Sequence, residues 1–209
     1  MTPRALVFDL DGTLVDSLGD IAHHLDDALA ERGLATHDRA QIGQWVGEGT
    51  DVLVARAVAR PELRDEVAAA YRARYRAHPI VASHVYPELL AVLDGLTDRK
   101  LAVLSNKPHD LTCAIAQRLL HRWPFAIIAG EREGWARKPD PAGLLSILAQ
   151  LGCSPADAVM IGDTEVDVAT AKAAGVRSIA VTWGFRRREL LAGAGAIAET
   201  PAQLAALLR

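Results

Sequence analysis

The sequence predicts an α/β fold, in which a parallel sheet is covered by helices on both faces and a helical segment is inserted after the first strand. Short apolar runs alternate with helical patterns along most of the chain. Continuous apolar strands that alternate with helices are typical of parallel sheets buried on both faces. The gap between the first two runs is too long for one crossover helix, and this gap predicts the insertion.

Five apolar runs have the length of buried strands. They are "ALVF" at residues 5–8, "LAVLS" at 101–105, "FAIIAG" at 125–130, "AVMIG" at 158–162 and "SIAVTW" at 178–183. Each of the first four leads into a polar or glycine-containing turn and then into a helical pattern. Crossovers in such sheets are right-handed, and ligands bind beyond the carboxyl ends of the strands. We therefore expect a site at that edge of the sheet.

The segment between the first two strands contains only helical signals. Its first helix has an apolar stripe at Leu18, Ile21, Leu25 and Leu29. Gly33 follows as a candidate residue to end that helix. The stretches "TDVLVARAVA" and "ELRDEVAAAYRARYRAH" continue the helical pattern. We interpret residues 17–84, called the helical insertion below, as a small all-helical domain, and residues 1–16 and 85–209 as the α/β core.

Composition narrows the classes of function. The chain has 209 residues, half of them hydrophobic, and a formal charge of −3, so neither nucleic acid nor a membrane surface is expected as a partner. The two cysteines, Cys113 and Cys153, do not make a disulfide framework. The N-terminus shows no signal-peptide pattern, and no apolar run is long enough to span a bilayer. We expect a cytoplasmic protein, either a monomer or a homodimer.

Polar side chains follow the predicted strands at their carboxyl ends. Because these ends meet at one edge of a parallel sheet, four separate segments converge there. The first strand is followed by Asp9, Asp11, Gly12 and Thr13, and the second ends on Ser105 and is followed by Asn106 and Lys107. Lys138 precedes a long helix, and the fourth strand is followed by Asp163, Thr164 and Asp167.

This set of side chains suits phosphoryl transfer. Clustered carboxylates repel each other unless a cation neutralises them, and oxygen ligands with room for water suit Mg²⁺. A hydroxyl group, helix N-termini and a lysine suit a phosphate dianion. Asp9 can attack phosphorus, while Asp11 can protonate the leaving oxygen and later deprotonate a water.

Four motifs, "DLDGTLVDS", "SNKP", "RKPDP" and "GDTEVD", resemble in order and spacing those of the haloacid dehalogenase superfamily, in its phosphatase branch. The resemblance covers nearly the whole chain. It implies a Rossmann-like core with strand order 3-2-1-4-5, and it matches the helical insertion to that family's cap domain. It also implies an aspartyl-phosphate mechanism with Mg²⁺ as cofactor.

The resemblance assigns a role to each motif residue. Asp9 is implied as nucleophile and metal ligand, and Asp11 as general acid and base with its backbone carbonyl on the metal. Ser105 is implied to bind the transferring phosphoryl group, and Lys138 to offset its charge. Further metal ligands are implied at Asp163 and, directly or through water, at Asp167. Gly12, Thr13 and Asn106 are expected to bind substrate.

A finer resemblance is to the phosphoglycolate phosphatases. It includes "WVGEGTDVLVARA" in the helical insertion, where Gly47 and Gly49 are expected to contact substrate. The expected substrate is a small phosphorylated metabolite, most specifically 2-phosphoglycolate. A pyrophosphatase, a sugar-phosphate phosphatase or a β-phosphoglucomutase-like enzyme of the same fold stays open as an alternative, as does a non-catalytic binding protein.

Several residues have a plainer interpretation. Asp167 could cap the helix that it begins instead of binding metal. Lys107 is predicted to be a solvated neighbour of Ser105 rather than a catalyst. The pair His23 and Asp27 is predicted to lie on a solvated helix face, as are the two arginines Arg72 and Arg76.

Overall fold

The computed structural model describes residues 2–209 and has a six-stranded parallel sheet at its centre. The order across this sheet is β5-β4-β1-β6-β7-β8, and a separate antiparallel pair is formed by β2 and β3. The strands are β1 (Ala5–Phe8), β2 (Val15–Asp16), β3 (His84–Val85), β4 (Lys100–Pro108), β5 (Phe125–Glu131), β6 (Ala158–Gly162), β7 (Arg177–Val181) and β8 (Ala196–Ala198).

Nine α-helices occur within these described residues. They are α1 (Leu18–Ala30), α2 (Arg39–Trp45), α3 (Thr50–Ala57), α4 (Arg64–Ala77), α5 (Leu90–Asp94), α6 (His109–Leu119), α7 (Ala142–Leu151), α8 (Glu165–Ala173) and α9 (Pro201–Leu207). None of them is long and apolar enough to cross a membrane. Both cysteines are unpaired and half-buried.

The central position of β1 follows from its sequence. All four of its residues are apolar and completely buried. It pairs in parallel with β4 on one side, where Phe8 lies opposite Val103, and with β6 on the other, where Phe8 lies opposite Ile161. Because β1 has a neighbour on each edge, the residues that follow Phe8 emerge in the middle of the carboxyl edge.

Side chains alternate between two apolar layers along β1. Leu6 and Phe8 belong to a large cluster that continues into the helical insertion, where it includes Leu25 and Tyr75. Ala5 and Val7 face the opposite layer, which α7 and α8 cover with residues such as Ile147. Full burial of a large apolar side chain contributes about 1.5–3 kcal/mol, so both layers hold β1 firmly.

The helical insertion is joined to the sheet through the short ribbon of β2 and β3. Val15 lies opposite Val85, and Asp16 lies opposite His84. Beside this ribbon, the carboxylate of Asp20 accepts hydrogen bonds from the backbone N–H groups of Val81, Ala82 and Ser83 and from the Ser83 hydroxyl. The start of α1 is thereby fixed to the segment that leads back to the core.

The predicted strand order is found, with one strand added at the edge. The five predicted runs lie in β1, β4, β5, β6 and β7, although β4 extends to Pro108 and β7 ends at Val181, before Trp183. The sequence analysis missed the short β8, the β2–β3 ribbon and α2. The helical stripe is α1, and Gly33 adopts a left-handed conformation shortly after it. The division into core and insertion stays a prediction.

Candidate active site

The carboxyl edge of the sheet brings the predicted polar residues together. Asp9 and Asp11 follow β1, Ser105 lies in the last part of β4, and Asp163 follows β6. Lys138 reaches the same place from the segment between β5 and α7. All five residues are at most 8% exposed. The charges of the three aspartates and of Lys138 are therefore removed from water and must be balanced by one another or by a ligand.

Asp9, Lys138 and Asp167 form a buried charge triad. The Lys138 ammonium lies 2.8 Å from Asp9 Oδ1 and 2.6 Å from Asp167 Oδ1. Burial raises the pKa of Asp9 well above its usual range; Lys138 opposes this effect, and the charges of Asp167 and Asp163 add to it. Burial acts to lower the pKa of Lys138, but the two carboxylates outweigh it and raise that pKa.

The other oxygen of Asp167 caps helix α8. It accepts from the backbone N–H of Thr164 at 3.1 Å and from the Thr164 hydroxyl at 2.7 Å, and the Asp167 N–H is directed back to that hydroxyl. The capping interpretation is therefore correct for one oxygen of Asp167, while the other oxygen faces the charge triad. Asp167 therefore caps α8 with one carboxylate oxygen and presents the other oxygen to the site.

Asp163 is held on both oxygens. Oδ1 accepts from the Thr13 hydroxyl at 3.1 Å, and Oδ2 accepts from the backbone N–H of Phe185 at 2.8 Å. Burial, followed by the charge of Asp167, raises the pKa of Asp163 to about 7, against the lowering effect of these hydrogen bonds.

Glycines surround the Asp163 carboxylate. A Cβ on Gly12 would lie 2.4 Å from Asp163 Oδ2, and a Cβ on Gly184 would lie 2.3 Å from the same atom. Gly12 also has a φ of +84°, which disfavours other residues. The structure thus gives the predicted residues Gly12 and Thr13 a contact with Asp163, and neither lines the cavity described below.

The donor set fits a divalent cation. Asp9, Asp163 and Asp167 each offer a carboxylate oxygen, and these three oxygens lie within 4.8 Å of one another. Counted formally, the four buried carboxylates, Asp11 included, exceed the ammonium groups of Lys107 and Lys138 by two charges; together with burial, the repulsion among these carboxylates raises the pKa values of Asp9 and Asp163. Hard carboxylate oxygens at this spacing suit Mg²⁺.

Asp11 is directed away from this triad. Its Oδ1 accepts from the Ser17 hydroxyl at 2.5 Å, and the Lys107 ammonium lies 3.0 Å and 3.2 Å from its two oxygens. Lys107 also donates to the Tyr75 hydroxyl at 3.0 Å. The expectation of a solvated Lys107 is wrong, because its side chain is only 5% exposed and is paired with Asp11.

Asn106 connects three segments. Its amide donates to the carbonyls of Gly47 and Lys138, each at 2.9 Å, and its Oδ1 accepts from the Lys138 N–H at 2.8 Å. The side chain therefore fixes Lys138 to β4 and fastens the helical insertion to the core. The Ser105 hydroxyl accepts from the N–H of Lys107 at 3.1 Å.

Arg186, in the loop after β7, makes a second link to the insertion. It donates to the carbonyls of Gly43 and Val46, at 2.8 Å and 2.6 Å, and pairs with Glu165 at the start of α8. The sequence analysis missed this buried arginine, because no motif marks it.

A small cavity of about 40 Å³ lies between the helical insertion and the core. Gly47 and Gly49 line it, and α3 begins directly after them at Thr50. Their contact with substrate stays a prediction. Most of its other lining from the insertion is apolar or aromatic. The core contributes Asp9, Asp11, Ser105, Asn106, Lys107, Pro108 and Leu111.

The polar pairs that were given a plainer interpretation lie outside this cavity. Arg72 pairs with Asp51 and Arg76 with Asp110, in exposed ion pairs. His23 and Asp27 lie 3.9 Å apart on a solvated face. These residues therefore stay surface charges, as predicted.

The sequence of this chain is similar to those of known hydrolases. A family model for haloacid dehalogenase-like hydrolases matches residues 3–175. A phosphoglycolate phosphatase of Rhodospirillum rubrum is 42% identical over 208 residues, which cover 94% of this chain and 86% of that protein. A phosphoglycolate phosphatase of Aquifex aeolicus is 35% identical, with 87% and 86% covered.

Solved structures share the whole fold. The crystal structure of a proposed phosphoglycolate phosphatase from Lactobacillus delbrueckii subsp. bulgaricus has a TM-score of 0.94 and 28% identity, and the match covers 100% of this chain and 99% of that one. The similarity thus includes both the sheet and the helical insertion.

Proposed function

We propose that this chain, which belongs to the haloacid dehalogenase-like hydrolases, is a Mg²⁺-dependent phosphatase that hydrolyses 2-phosphoglycolate. The observation that carries the proposal is the buried arrangement of Asp9, Lys138 and Asp167, with Asp163 beside it. The relatives from Rhodospirillum rubrum and Aquifex aeolicus, which carry the name phosphoglycolate phosphatase, support the substrate.

Asp9 is the proposed nucleophile. Lys138 holds one of its oxygens at 2.8 Å, so the other oxygen can face the phosphorus atom of a substrate in the adjoining cavity. The bond from Asp9 to phosphorus forms as the bond from phosphorus to the alcohol oxygen breaks. Lys138 offsets the charge of the transferring phosphoryl group, and the Ser105 hydroxyl donates a hydrogen bond to it.

Asp11 is the proposed general acid and base. Its carboxyl group gives a proton to the departing alcohol oxygen and then accepts one from the water that attacks the aspartyl-phosphate. This second step releases inorganic phosphate and restores Asp9. A halide leaving group needs no such proton, so the presence of Asp11 favours phosphate ester hydrolysis over dehalogenation.

The residues proposed to hold Mg²⁺ are Asp9, Asp163, Asp167 and the backbone carbonyl of Asp11. The three side chains each place a carboxylate oxygen within 4.8 Å of the others, and the excess negative charge of the cluster matches one divalent ion. A bound divalent ion would offset negative charge on the phosphoryl oxygens. Asp167 contributes directly or through water, because one of its oxygens already caps α8.

The helical insertion is proposed to act as a cap that selects the substrate. Gly47 and Gly49 line the cavity. Their φ values of +119° and +93° are unfavourable for residues that carry a Cβ atom. The N-terminus of α3 follows them and offers backbone N–H groups to an anion. The small size of this cavity favours a two-carbon acid over a hexose.

The test is a hydrolysis screen with the purified full-length protein and Mg²⁺. The substrates are 2-phosphoglycolate, pyrophosphate, glucose 1-phosphate, glucose 6-phosphate and p-nitrophenyl phosphate, with released phosphate as readout. We expect the highest kcat/KM for 2-phosphoglycolate, loss of activity with a chelator and recovery with Mg²⁺. Conversion of glucose phosphates in the presence of a bisphosphate primer would instead show a mutase, and binding without turnover would show a non-catalytic protein.

A further inference from the structure

Lys107 is the one cationic side chain among the described residues that line the cavity. Its ammonium contacts the Asp11 carboxylate at 3.0 Å and 3.2 Å and the Tyr75 hydroxyl at 3.0 Å. It also lies 4.3 Å from the centre of the Tyr75 ring. Because Lys138 already serves Asp9, the one task that the proposed phosphoryl chemistry leaves for this lysine is to hold Asp11.

A purely structural role explains the position poorly. Burial of an ammonium costs several kcal/mol, and an apolar pair of similar volume often stabilises a protein as well as a buried ion pair does. The surroundings of Lys107 are suited to such a replacement, since the cavity is also lined by Ile21, Leu53 and Leu111. A cation kept at this place is therefore better explained by an anion that enters the cavity.

The cavity lining offers two chemically different groups. Asp9 and Ser105 belong to the proposed phosphoryl site, and Lys107 lies between Asp11 of the core and Tyr75 of the helical insertion. Burial raises the pKa of Tyr75, so its hydroxyl stays protonated and can orient an acceptor. An ammonium and a hydroxyl together suit a carboxylate.

We propose that Lys107 is the specificity-determining residue that binds the carboxylate of the substrate. The proposal rests on the function given above and deepens it, since it names the class of substrate as phosphate monoesters of small hydroxy acids. Thr50, which begins α3, also lines the cavity, so the N-terminus of this helix adds a favourable electrostatic contribution for an anion there.

Substrate binding then has a consequence for Asp11. The three N–H groups of the ammonium are directed to the two Asp11 oxygens and the Tyr75 oxygen. A substrate carboxylate therefore binds by replacing an oxygen of Asp11. The replaced Asp11 carboxylate, no longer paired with the ammonium, can take up a proton from water and turn toward the leaving oxygen, to which it then gives that proton. The carboxylate of the right substrate thus both holds the ester and frees Asp11.

The experiment compares two esters that differ in the carboxylate. The values of kcat/KM for 2-phosphoglycolate and for ethyl phosphate are measured with wild type, Lys107→Met and a control, Lys172→Met, whose side chain is exposed on α8. We expect the ratio of the two values to fall by roughly 10- to 100-fold in Lys107→Met, as for loss of one charge-assisted hydrogen bond. The control should keep the wild-type ratio.

Other outcomes separate the two proposals. If wild type hydrolyses 2-phosphoglycolate and Lys107→Met keeps the wild-type ratio, the role of Lys107 is refuted while the proposed function stands. Equal losses on both esters would also refute it, since Lys107 would then only position Asp11. If Lys107→Met does not fold, Lys107→Gln and Tyr75→Phe replace it, with the same fall expected for the first and a smaller fall for the second. No hydrolysis of 2-phosphoglycolate by wild type would refute the function itself.

Discussion

Asp9, the proposed nucleophile, has one oxygen on Lys138, and its proposed role can be tested by substitution of the residue itself. Asp9→Asn should retain the fold and lose turnover by at least about a thousandfold, because a carboxamide neither attacks phosphorus nor carries the charge of a metal ligand. Phosphate release from 2-phosphoglycolate measures the loss, and circular dichroism checks the fold.

A suitable control is Asp98→Asn, since the Asp98 side chain is 70% exposed and distant from the motifs. It should leave turnover unchanged. Turnover of Asp9→Asn within tenfold of wild type would rule out the covalent mechanism.

The ionised carboxylate of Asp20 is expected to stabilise the fold. Burial opposes its ionisation, but hydrogen bonds from the Ser83 hydroxyl and from three backbone N–H groups outweigh burial and lower the pKa of Asp20. A carboxyl group whose pKa is lower in the folded state stabilises the protein above its unfolded pKa, and this contribution is lost as the pH falls through the folded pKa. Asp20→Asn should therefore destabilise at neutral pH.

The expected loss is about 2 kcal/mol of unfolding free energy at pH 7, the size of a charged hydrogen bond. It should shrink only as the pH falls below about 3.9, the ordinary pKa of an aspartate, and through the lowered pKa of folded Asp20. Urea denaturation of both proteins at pH 7 and at about pH 2, well below that ordinary pKa, measures the difference. A difference that is the same at both pH values would show that the charge of Asp20 contributes nothing.

The buried position of Lys107 could not be predicted from the sequence alone. The motif residues were predicted correctly in place, because parallel strands bring their carboxyl ends to one edge. The predicted second strand ended at Ser105, so Lys107 was placed in a solvated turn, whereas β4 continues to Pro108. Side chains two residues apart on a strand point to the same face of the sheet. With the strand extended to Pro108, this alternation would have placed the Lys107 side chain on the same face as that of Ser105.

At the scale of elements, the loop after β7 determines the position of Asp163. Gly184→Ala would place a Cβ 2.3 Å from both Cβ and Oδ2 of Asp163, so the carboxylate must move. A displacement of about 1 Å in such a site costs on the order of 100-fold in rate, and we expect a loss of that size in kcat. The matched control is Gly193→Ala, whose nearest neighbour would be an ordinary 3.6 Å away.

Steady-state kinetics with 2-phosphoglycolate compares the two glycine variants, and thermal unfolding monitors their stability. Wild-type kcat in Gly184→Ala would show that Asp163 does not need its present position. A comparable loss in Gly193→Ala would show that the loop as a whole, and not the contact with Asp163, is responsible.

Elements with a strong apolar signal were predictable, and short ones were not. Runs such as "ALVF" and "AVMIG" are buried on both sides and contrast with their flanking turns. β8 has only three residues, and the β2–β3 ribbon has two in each strand, so neither produces a periodic pattern. These strands form because tertiary contacts bring their partners together, which no local pattern reports.

At the scale of the whole molecule, Arg186 and Asn106 fasten the helical insertion to the core. Arg186→Gln removes donors from the carbonyls of Gly43 and Val46 and leaves Glu165 unpaired. We expect faster backbone hydrogen exchange in residues 43–50 and a fall of about tenfold in kcat/KM for 2-phosphoglycolate, because the insertion closes less firmly.

Arg188→Gln is the matched control, since Arg188 pairs only with Glu199 in an exposed contact at 3.4 Å. Its exchange and kinetics should match wild type. Unchanged exchange in residues 43–50 of Arg186→Gln would mean that the other contacts are sufficient to hold the insertion closed.

The central position of β1 also affects how the chain can be made. The strand that precedes Asp9 leaves the ribosome before both of its sheet partners, since Phe8 pairs with Val103 and with Ile161. At roughly 5–20 residues per second, an emerging chain waits on the order of 5–20 s for the first partner and 10–30 s for the second. Until β4 is made, an apolar strand of four residues has no sheet to join. The helices of the insertion are synthesised in the meantime and need only local contacts, so they can form before the sheet does.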